Sequence, residues 1–314
     1  MMRIFSFGSL ALFMGALFIL NCAEDTTTNP QFDYSINYNN YPIQYVDFED
    51  RLLYSGNPAS LDFNFLHDEE NIQINEINGQ YVYHPWNLAN NAIAYICSFY
   101  STGDSAYLDM CYRYANKFSE LGVRHKGGIY IPYTWNYHLH PPSNDILMAP
   151  WYSGIAEGYF LIFFSEFYEI TGDLHIKALA DSVFYTFLNA DNTDDIWTCM
   201  VDSLGYYWVE EYPFSPPDHV FGGFTTGLIG LHTYYMVTND QGCKMLLKAG
   251  LTTIQHYFNE YRNPGDIMYY CLRHHLQLGN YHLLNADRLR YLAIISGDDI
   301  FDQFADSILA DYSG

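Results

Sequence analysis

Positive charge is what this sequence has least of. Thirteen Lys and Arg stand against 36 Asp and Glu across 314 residues, a formal net charge of −23. Neutralising a phosphate backbone takes clustered cations, so nucleic acid is excluded as a partner. Charge of either sign is sparse: Asp, Glu, Lys and Arg together make up 16% of the chain, against about a quarter in an ordinary soluble domain. Cysteines number 6. No CxxC pair and no Cys/His cluster stands in the sequence, so a structural zinc site is not expected. Cys97, Cys111, Cys199, Cys243 and Cys271 are read as buried and unpaired.

Long apolar runs are confined to the start of the chain. Met1-Met2-Arg3 and the apolar stretch from Ile4 to Leu20 read as an export signal, borderline in length for a spanning helix of about 20 residues. Leu20-Asn21-Cys22 resembles a bacterial lipoprotein signal in which Cys22 becomes the lipidated first residue. Residues 1–22 are therefore expected to be a signal and 23–39 a polar tether. The protein would be exported, either anchored to a membrane through an N-terminal lipid or free in the periplasm or outside the cell.

Aromatic residues are abundant, at 18% with 31 tyrosines. A phenol offers a flat apolar face and a hydrogen-bonding tip. That suits core edges, and it suits the C–H faces and hydroxyl rims of sugars. Composition leaves both readings open.

One local pattern decides the fold class. Helical stretches end at Ser101-Thr102-Gly103-Asp104, Ile170-Thr171-Gly172-Asp173, Val237-Thr238-Asn239-Asp240 and Ile295-Ser296-Gly297-Asp298. Gly or Asn closes a helix in the left-handed conformation and Asp caps the next one. Around these turns the apolar spacing is helical, as at Leu88, Ala92, Tyr95 and Phe99 before the first and Ile176, Leu179, Val183 and Phe187 after the second. Hairpins recurring at this interval predict a mainly α protein, an α/α toroid over residues 85–314. Residues 40–84, with Leu61, Phe63 and Phe65 in alternation and Ile72 and Ile74 after them, predict a small N-terminal β element.

Three segments carry candidate chemistry. Pro150 to Gly158 holds Trp151-Tyr152-Ser153 at the opening of a helix. Tyr206 to Pro213 holds Glu210-Glu211-Tyr212 in an aromatic setting, where desolvation would raise a carboxyl pKa towards that of a useful base. Tyr270 to His282 holds Arg273 beside histidines and tyrosines, and a guanidinium matches a carboxylate bidentately. An isolated Glu-Glu pair is more commonly one buried cap and one solvated group, and an isolated Arg-His is more commonly structural.

In order, these motifs resemble the C-terminal catalytic domain of the D-glucuronyl C5-epimerases. The matching residues are Trp151-Tyr152-Ser153, Trp208-Val209-Glu210-Glu211-Tyr212-Pro213, Gly222-Gly223-Phe224 with Leu228-Ile229-Gly230-Leu231, Tyr270-Cys271-Leu272-Arg273-His274, and Tyr281-His282. The sequence departs from the family at Gly222, where Asn is usual, and at Cys271, where an acidic residue is usual. The resemblance implies inversion at C5 of D-glucuronate units in a polysaccharide, with no metal or organic cofactor. It also implies roles: Glu211 and Tyr281 as proton-transfer groups, Tyr212 completing the catalytic set, and Arg273 neutralising the uronate carboxylate. Tyr270, His274, His282, Trp151 and Tyr152 would line the substrate. A polysaccharide lyase sharing the C5 proton abstraction, a glycoside hydrolase and a non-catalytic surface glycan-binding lipoprotein are the alternatives.

Overall fold

Each Gly/Asn-Asp signal closes one helix and opens another. In the computed structural model of the chain, which describes residues 35–312, eight helices follow in four pairs. They are α1 (Pro85–Thr102) with α2 (Ser105–Leu121), α3 (Gly154–Thr171) with α4 (Leu174–Leu188), α5 (Phe221–Thr238) with α6 (Gln241–Tyr261), and α7 (Gly279–Ser296) with α8 (Ile300–Asp311). Gly103, Gly172, Asn239 and Gly297 all take positive φ, between 55° and 69°, as C-caps. Asp104, Asp173 and Asp240 accept from the backbone N–H of Ala106, His175 and Cys243. The side chain of Asp298 does the same for Ile300.

The chain is an α/α toroid of helical hairpins. α3 packs against α1 and α5, and α5 against α7, which makes an inner row, with α2, α4, α6 and α8 each against its own partner. α3 and α5 are buried almost all round, as befits helices enclosed by others. Their crossing is close because it runs over glycine: a β-carbon on Gly230 would lie 2.8 Å from the carbonyl oxygen of Gly158, and one on Gly158 would lie 3.0 Å from that of Thr226.

Four antiparallel hairpins decorate this row: β1 (Asn75–Ile77) with β2 (Gln80–Val82), β3 (Val123–His125) with β4 (Gly128–Tyr130), β5 (Tyr137–His138) with β6 (Ile146–Leu147), and β7 (Cys199–Val201) with β8 (Tyr207–Val209). Within residues 40–84 the strands are β1 and β2, with a bridge between His67 and Gln73. Leu61, Phe63 and Phe65 do not form one. Leu61 and Phe63 instead turn onto the helical core, and Phe65 meets the edges of Phe63 and His67.

Residues 35–54 run along the helices. Asn37 N–H donates to Gly205 O, Gln44 N–H to Ile295 O, and Asn39 N–H to the Thr252 hydroxyl. The buried Arg51 guanidinium pairs with Glu166 at 3.5 Å and Glu169 at 2.7 Å. Residues 35–39, read from sequence as the end of a tether, are thus bonded to the body. The signal, Cys22 and the rest of the tether lie outside the described residues. No helix among the described residues is long and apolar enough to cross a membrane, and Cys97, Cys111, Cys199, Cys243 and Cys271 are all buried and free.

Glu157, in the first turn of α3, is completely buried. Among the described residues its side chain accepts one hydrogen bond, from the N–H of Ile131 at 3.4 Å, and its second oxygen has no hydrogen-bond partner. Burial holds its carboxyl well above the usual carboxylate range, so the fold favours the protonated form. A raised folded pKa contributes stability below the unfolded value of about 4.3 and loses it as pH climbs towards the folded one. Thermal unfolding should therefore show the wild type losing stability relative to Glu157→Gln as pH rises through that interval. Parallel profiles would contradict this. Separately, Gly230→Ala should cost about 1–3 kcal/mol through overpacking of the α3–α5 crossing, whereas Gly279→Ala, with open space around it, should stay within about 0.5 kcal/mol; denaturant midpoints measure both.

Candidate active site

The β7–β8 hairpin delivers its two carboxylates to opposite sides. Along a strand, alternate residues share a face, and here Trp208 and Glu210 face one way while Val209 and Glu211 face the other. Trp208 stacks on His219 at 3.9 Å between ring centroids. Glu210 accepts from the His219 backbone N–H at 3.0 Å and from its Nδ1 at 2.5 Å. Glu210 is thereby a clamp on the loop before α5. Val209 meets the glycines of α3 and α5: a β-carbon at Gly154 would lie 2.5 Å from it, and one at Gly227 2.8 Å. Glu211 points at Gly223, whose missing β-carbon would lie 2.4 Å from Glu211 Cβ and 2.7 Å from Oε2. Both members of the pair are buried, unlike the one-buried, one-solvated arrangement that such pairs more commonly show.

Around Glu211 the tyrosines gather. The Tyr270 hydroxyl donates to Glu211 Oε1 at 2.9 Å, and the Tyr212 hydroxyl is a second partner. Tyr281, in the first turn of α7, sets its ring edge-on to Tyr270 with centroids 5.0 Å apart. Desolvation raises the Glu211 carboxyl above its ordinary range. The two hydroxyl partners and the positive charge of Arg288 oppose that only in part. Burial likewise pushes the Tyr212 and Tyr270 phenols well up, so both act as neutral donors. Tyr281 is raised too, first by desolvation and then by the Glu211 charge.

An aromatic wall adjoins this cluster. Trp151 stacks on Tyr133 at 3.9 Å and donates Nε1–H to Trp135 O. Tyr137 stacks on Tyr212 at 5.4 Å and lies 5.8 Å from Trp151. Tyr152 packs edge-on to Tyr130, and with Trp151, Trp197 and Phe214 it lines a cavity of about 250 Å³.

The remaining candidates go elsewhere. Arg273 pairs with Asp145 at 2.7 Å, donates to Pro216 O and lies over the Phe214 ring, so its guanidinium is engaged on several sides. His274 donates from Nδ1 to Asp218 at 2.6 Å, with Nε2 3.2 Å from Asp145. His282 faces away from the tyrosines: its Nδ1 accepts from Met268 N–H and its ring meets Tyr312. Glu211, Tyr212, Tyr270 and Tyr281 therefore come together, Trp151 and Tyr137 flank them, and Arg273 and His274 belong to a neighbouring network.

Several residues of the site escaped the sequence reading. His140 sets its ring edge-on to both Tyr212 and Tyr270 at 5.4 Å and donates Nε2–H to the buried Asp218 at 2.5 Å. Arg288 is the cation whose charge is felt at Glu211, Tyr281 and Tyr159. It follows Tyr281 by two helical turns, a spacing visible in the sequence. The expectation that no Cys/His cluster exists needs correction. His140, Asp218, Cys271 and His274 bring one ligand atom each to within 4.8 Å of one another. Three separate loops supply them, so no contiguous signature announces the group.

The family model described as D-glucuronyl C5-epimerase C-terminus matches residues 124–309, which include every residue of this cluster. No curated protein matches the chain. Among solved structures the chain is similar to cellobiose 2-epimerase from Bacillus thermoamylovorans B4167, at 10% identity and a TM-score of 0.52 over 72% of this chain and 58% of that one. It is also similar to a GH76 α-mannanase from Bacteroides thetaiotaomicron, at 14% identity and a TM-score of 0.45 over 72% and 56%. A third is an unsaturated glucuronyl hydrolase from Streptococcus agalactiae, at 14% and 0.44 over 67% and 57%. The chain thus spans less than two thirds of each of these structures, and the first likeness is one of fold.

Gly223 is the position where the site is least forgiving. Gly223→Ala should displace Glu211 and cost about 1–3 kcal/mol, read as a lowered unfolding midpoint. Gly222→Ala, which meets nothing within 4 Å, should not. Equal midpoints for the two variants would remove the packing argument for Glu211.

Proposed function

We propose, on the premise that this chain belongs to the D-glucuronyl C5-epimerase C-terminus family, that it inverts C5 of uronate units in a polysaccharide by moving a proton from one face to the other. The observation that carries this reading is the buried carboxylate of Glu211, bonded to Tyr270, with the Tyr281 ring at the edge of the same cluster. Family membership supports carbohydrate epimerisation as the class of reaction. The uronate and its position C5 are the proposal.

A hydrogen on the carbon beside a carboxylate leaves only if the developing enolate is stabilised. Glu211, desolvated and therefore a stronger base than a free carboxylate, takes that proton, and the electron pair of the broken C5–H bond moves into the carboxylate. The Tyr281 phenol gives its proton to C5 from the other face, and the product has the opposite configuration. Proton exchange with solvent resets both groups, and the reverse reaction uses them in exchanged roles. Tyr212 and Tyr270, held neutral by burial, donate hydrogen bonds to Glu211. Arg288, two turns along α7 from Tyr281 and on the same helix face, is the cation we assign to the uronate carboxylate. Arg273 is occupied by Asp145 and supports the loop behind Tyr270. The half-buried Tyr137, backed by the buried stack of Trp151 on Tyr133, is the ring of this wall within reach of a neighbouring sugar unit.

The test is incubation of a non-sulfated glucuronate polymer in heavy water, followed by analysis of C5. Deuterium at C5 with both epimers present supports the reading. Unsaturated ends would assign a lyase, new reducing ends a hydrolase, and binding without either a glycan-binding protein. Tyr281→Phe and Glu211→Gln should each lower exchange by about 10²- to 10⁴-fold while the polymer still binds. Because Glu211 must be ionised to act, the acid limb of the kcat/KM profile should lie above the ordinary glutamate value of about 4.3. Wild-type exchange in both variants would sink the assignment.

A further inference from the structure

We propose that His140, Asp218, Cys271 and His274 form a closed zinc site behind the tyrosine cluster. Their ligand atoms lie within 4.8 Å of one another. Donors around a tetrahedral zinc stand about 2.0–2.3 Å from the metal, hence about 3.3–3.8 Å apart. Reaching that geometry takes movements of about an ångström in side chains borne on three different loops.

The chemistry of the set fits zinc. Two imidazoles, one soft thiolate and one hard carboxylate make a mixed N, S and O set of the kind zinc accepts, and the thiolate and imidazoles disfavour magnesium or calcium. The two anionic donors balance the charge of the ion. Metal binding releases the Cys271 thiol proton to solvent and forms the sulfur–metal bond in its place; His140 Nε2 and His274 Nδ1 give up their hydrogen bonds to Asp218 for the metal, and each neutral imidazole keeps its one proton on the other nitrogen. Asp218 is completely buried, and its side-chain partners among the described residues are His140, His274 and Cys271, with no Lys or Arg. A buried carboxylate without a cation is costly; a divalent ion supplies one.

The surroundings are those of a metal centre. His274 turns Nδ1 into the cluster and holds Nε2 3.2 Å from Asp145, which pairs in turn with Arg273. A ligating imidazole oriented by a carboxylate through its other nitrogen is the usual outer arrangement of a metal site. His140, His219 and His275, each a ligand or the neighbour of one, take positive φ of 50°, 53° and 48°. Left-handed backbone at non-glycine residues persists where the surroundings fix it. The partly exposed His274 gives the ion an entry path. Because the His140 ring abuts Tyr212 and Tyr270, the ion would stiffen the wall of the pocket without touching substrate.

The test uses the whole chain, stripped with a chelator and titrated with zinc in competition with a chromophoric chelator, and with cobalt(II) as a spectroscopic probe. One zinc per chain is expected. Cobalt should give the intense visible bands of a tetrahedral site and a sulfur-to-cobalt charge-transfer band in the near ultraviolet. Cys271→Ser should abolish that band, and Asp145→Ala should keep it while weakening zinc affinity about 10- to 100-fold. Circular dichroism checks that each variant is folded. Absence of stoichiometric binding, octahedral cobalt without a sulfur band, or a band that survives Cys271→Ser would each overturn the proposal. None of these readouts depends on turnover, so the site stands or falls apart from the epimerase reading.

Discussion

The near-contact of α3 with α5 is the constraint on which the remainder depends. Gly158, Gly227 and Gly230 let the two backbones meet with no side chain between them, and Val209 of β8 fills the space beside Gly154 and Gly227. With Val209 fixed there, Glu210 and Glu211 have no freedom to choose their faces. One is driven onto His219 and the other onto Gly223. The pocket is assembled at the ends of helices and hairpins whose spacing this crossing sets, which is how Tyr270 and Tyr281, far from Glu211 in sequence, reach the same place.

What could be read from the sequence was whatever local chemistry enforces. Gly103, Gly172, Asn239 and Gly297 with their following aspartates fixed the hairpins because cap and turn are decided within a few residues. The grouping of Glu211, Tyr212, Tyr270 and Tyr281 came from the ordered motifs of a family, and the tertiary structure brings them together. The alternation at Leu61, Phe63 and Phe65 was misleading because period-two burial needs only a chain lying along a core, not a partner strand. His140, Asp218 and Arg288 were silent for a different reason. Each gains its role from a loop or helix packed against it, and residues 140, 218 and 271 share no spacing that a linear reading could weigh.

Electrostatics divides the site in two. On the Glu211 side, burial raises the carboxyl, and the Tyr212 and Tyr270 hydroxyls, Arg288 and His140 oppose it. On the far side, Asp218 and Asp145 tie His140, His274 and Arg273 into a network of imidazoles, carboxylates and a guanidinium. His140 stands between them, its ring against Tyr212 and Tyr270 and its nitrogen on Asp218. Anything that alters the second network reaches the first through that ring.

The alternation along β8 has a further consequence. Glu210 and Glu211 are the same residue type in adjacent positions, and only the face each takes separates the carboxylate held on His219 from the one beside Gly223 and Tyr270. A slip of one residue in the pairing of Cys199–Val201 with Tyr207–Val209 would leave the composition of the pocket intact and exchange the faces from which the two carboxylates emerge. The information that separates them is carried by the reading frame of a six-residue ladder, Cys199–Val201 on Tyr207–Val209, and the register of this hairpin is consequently as much a part of the site as the side chains it presents.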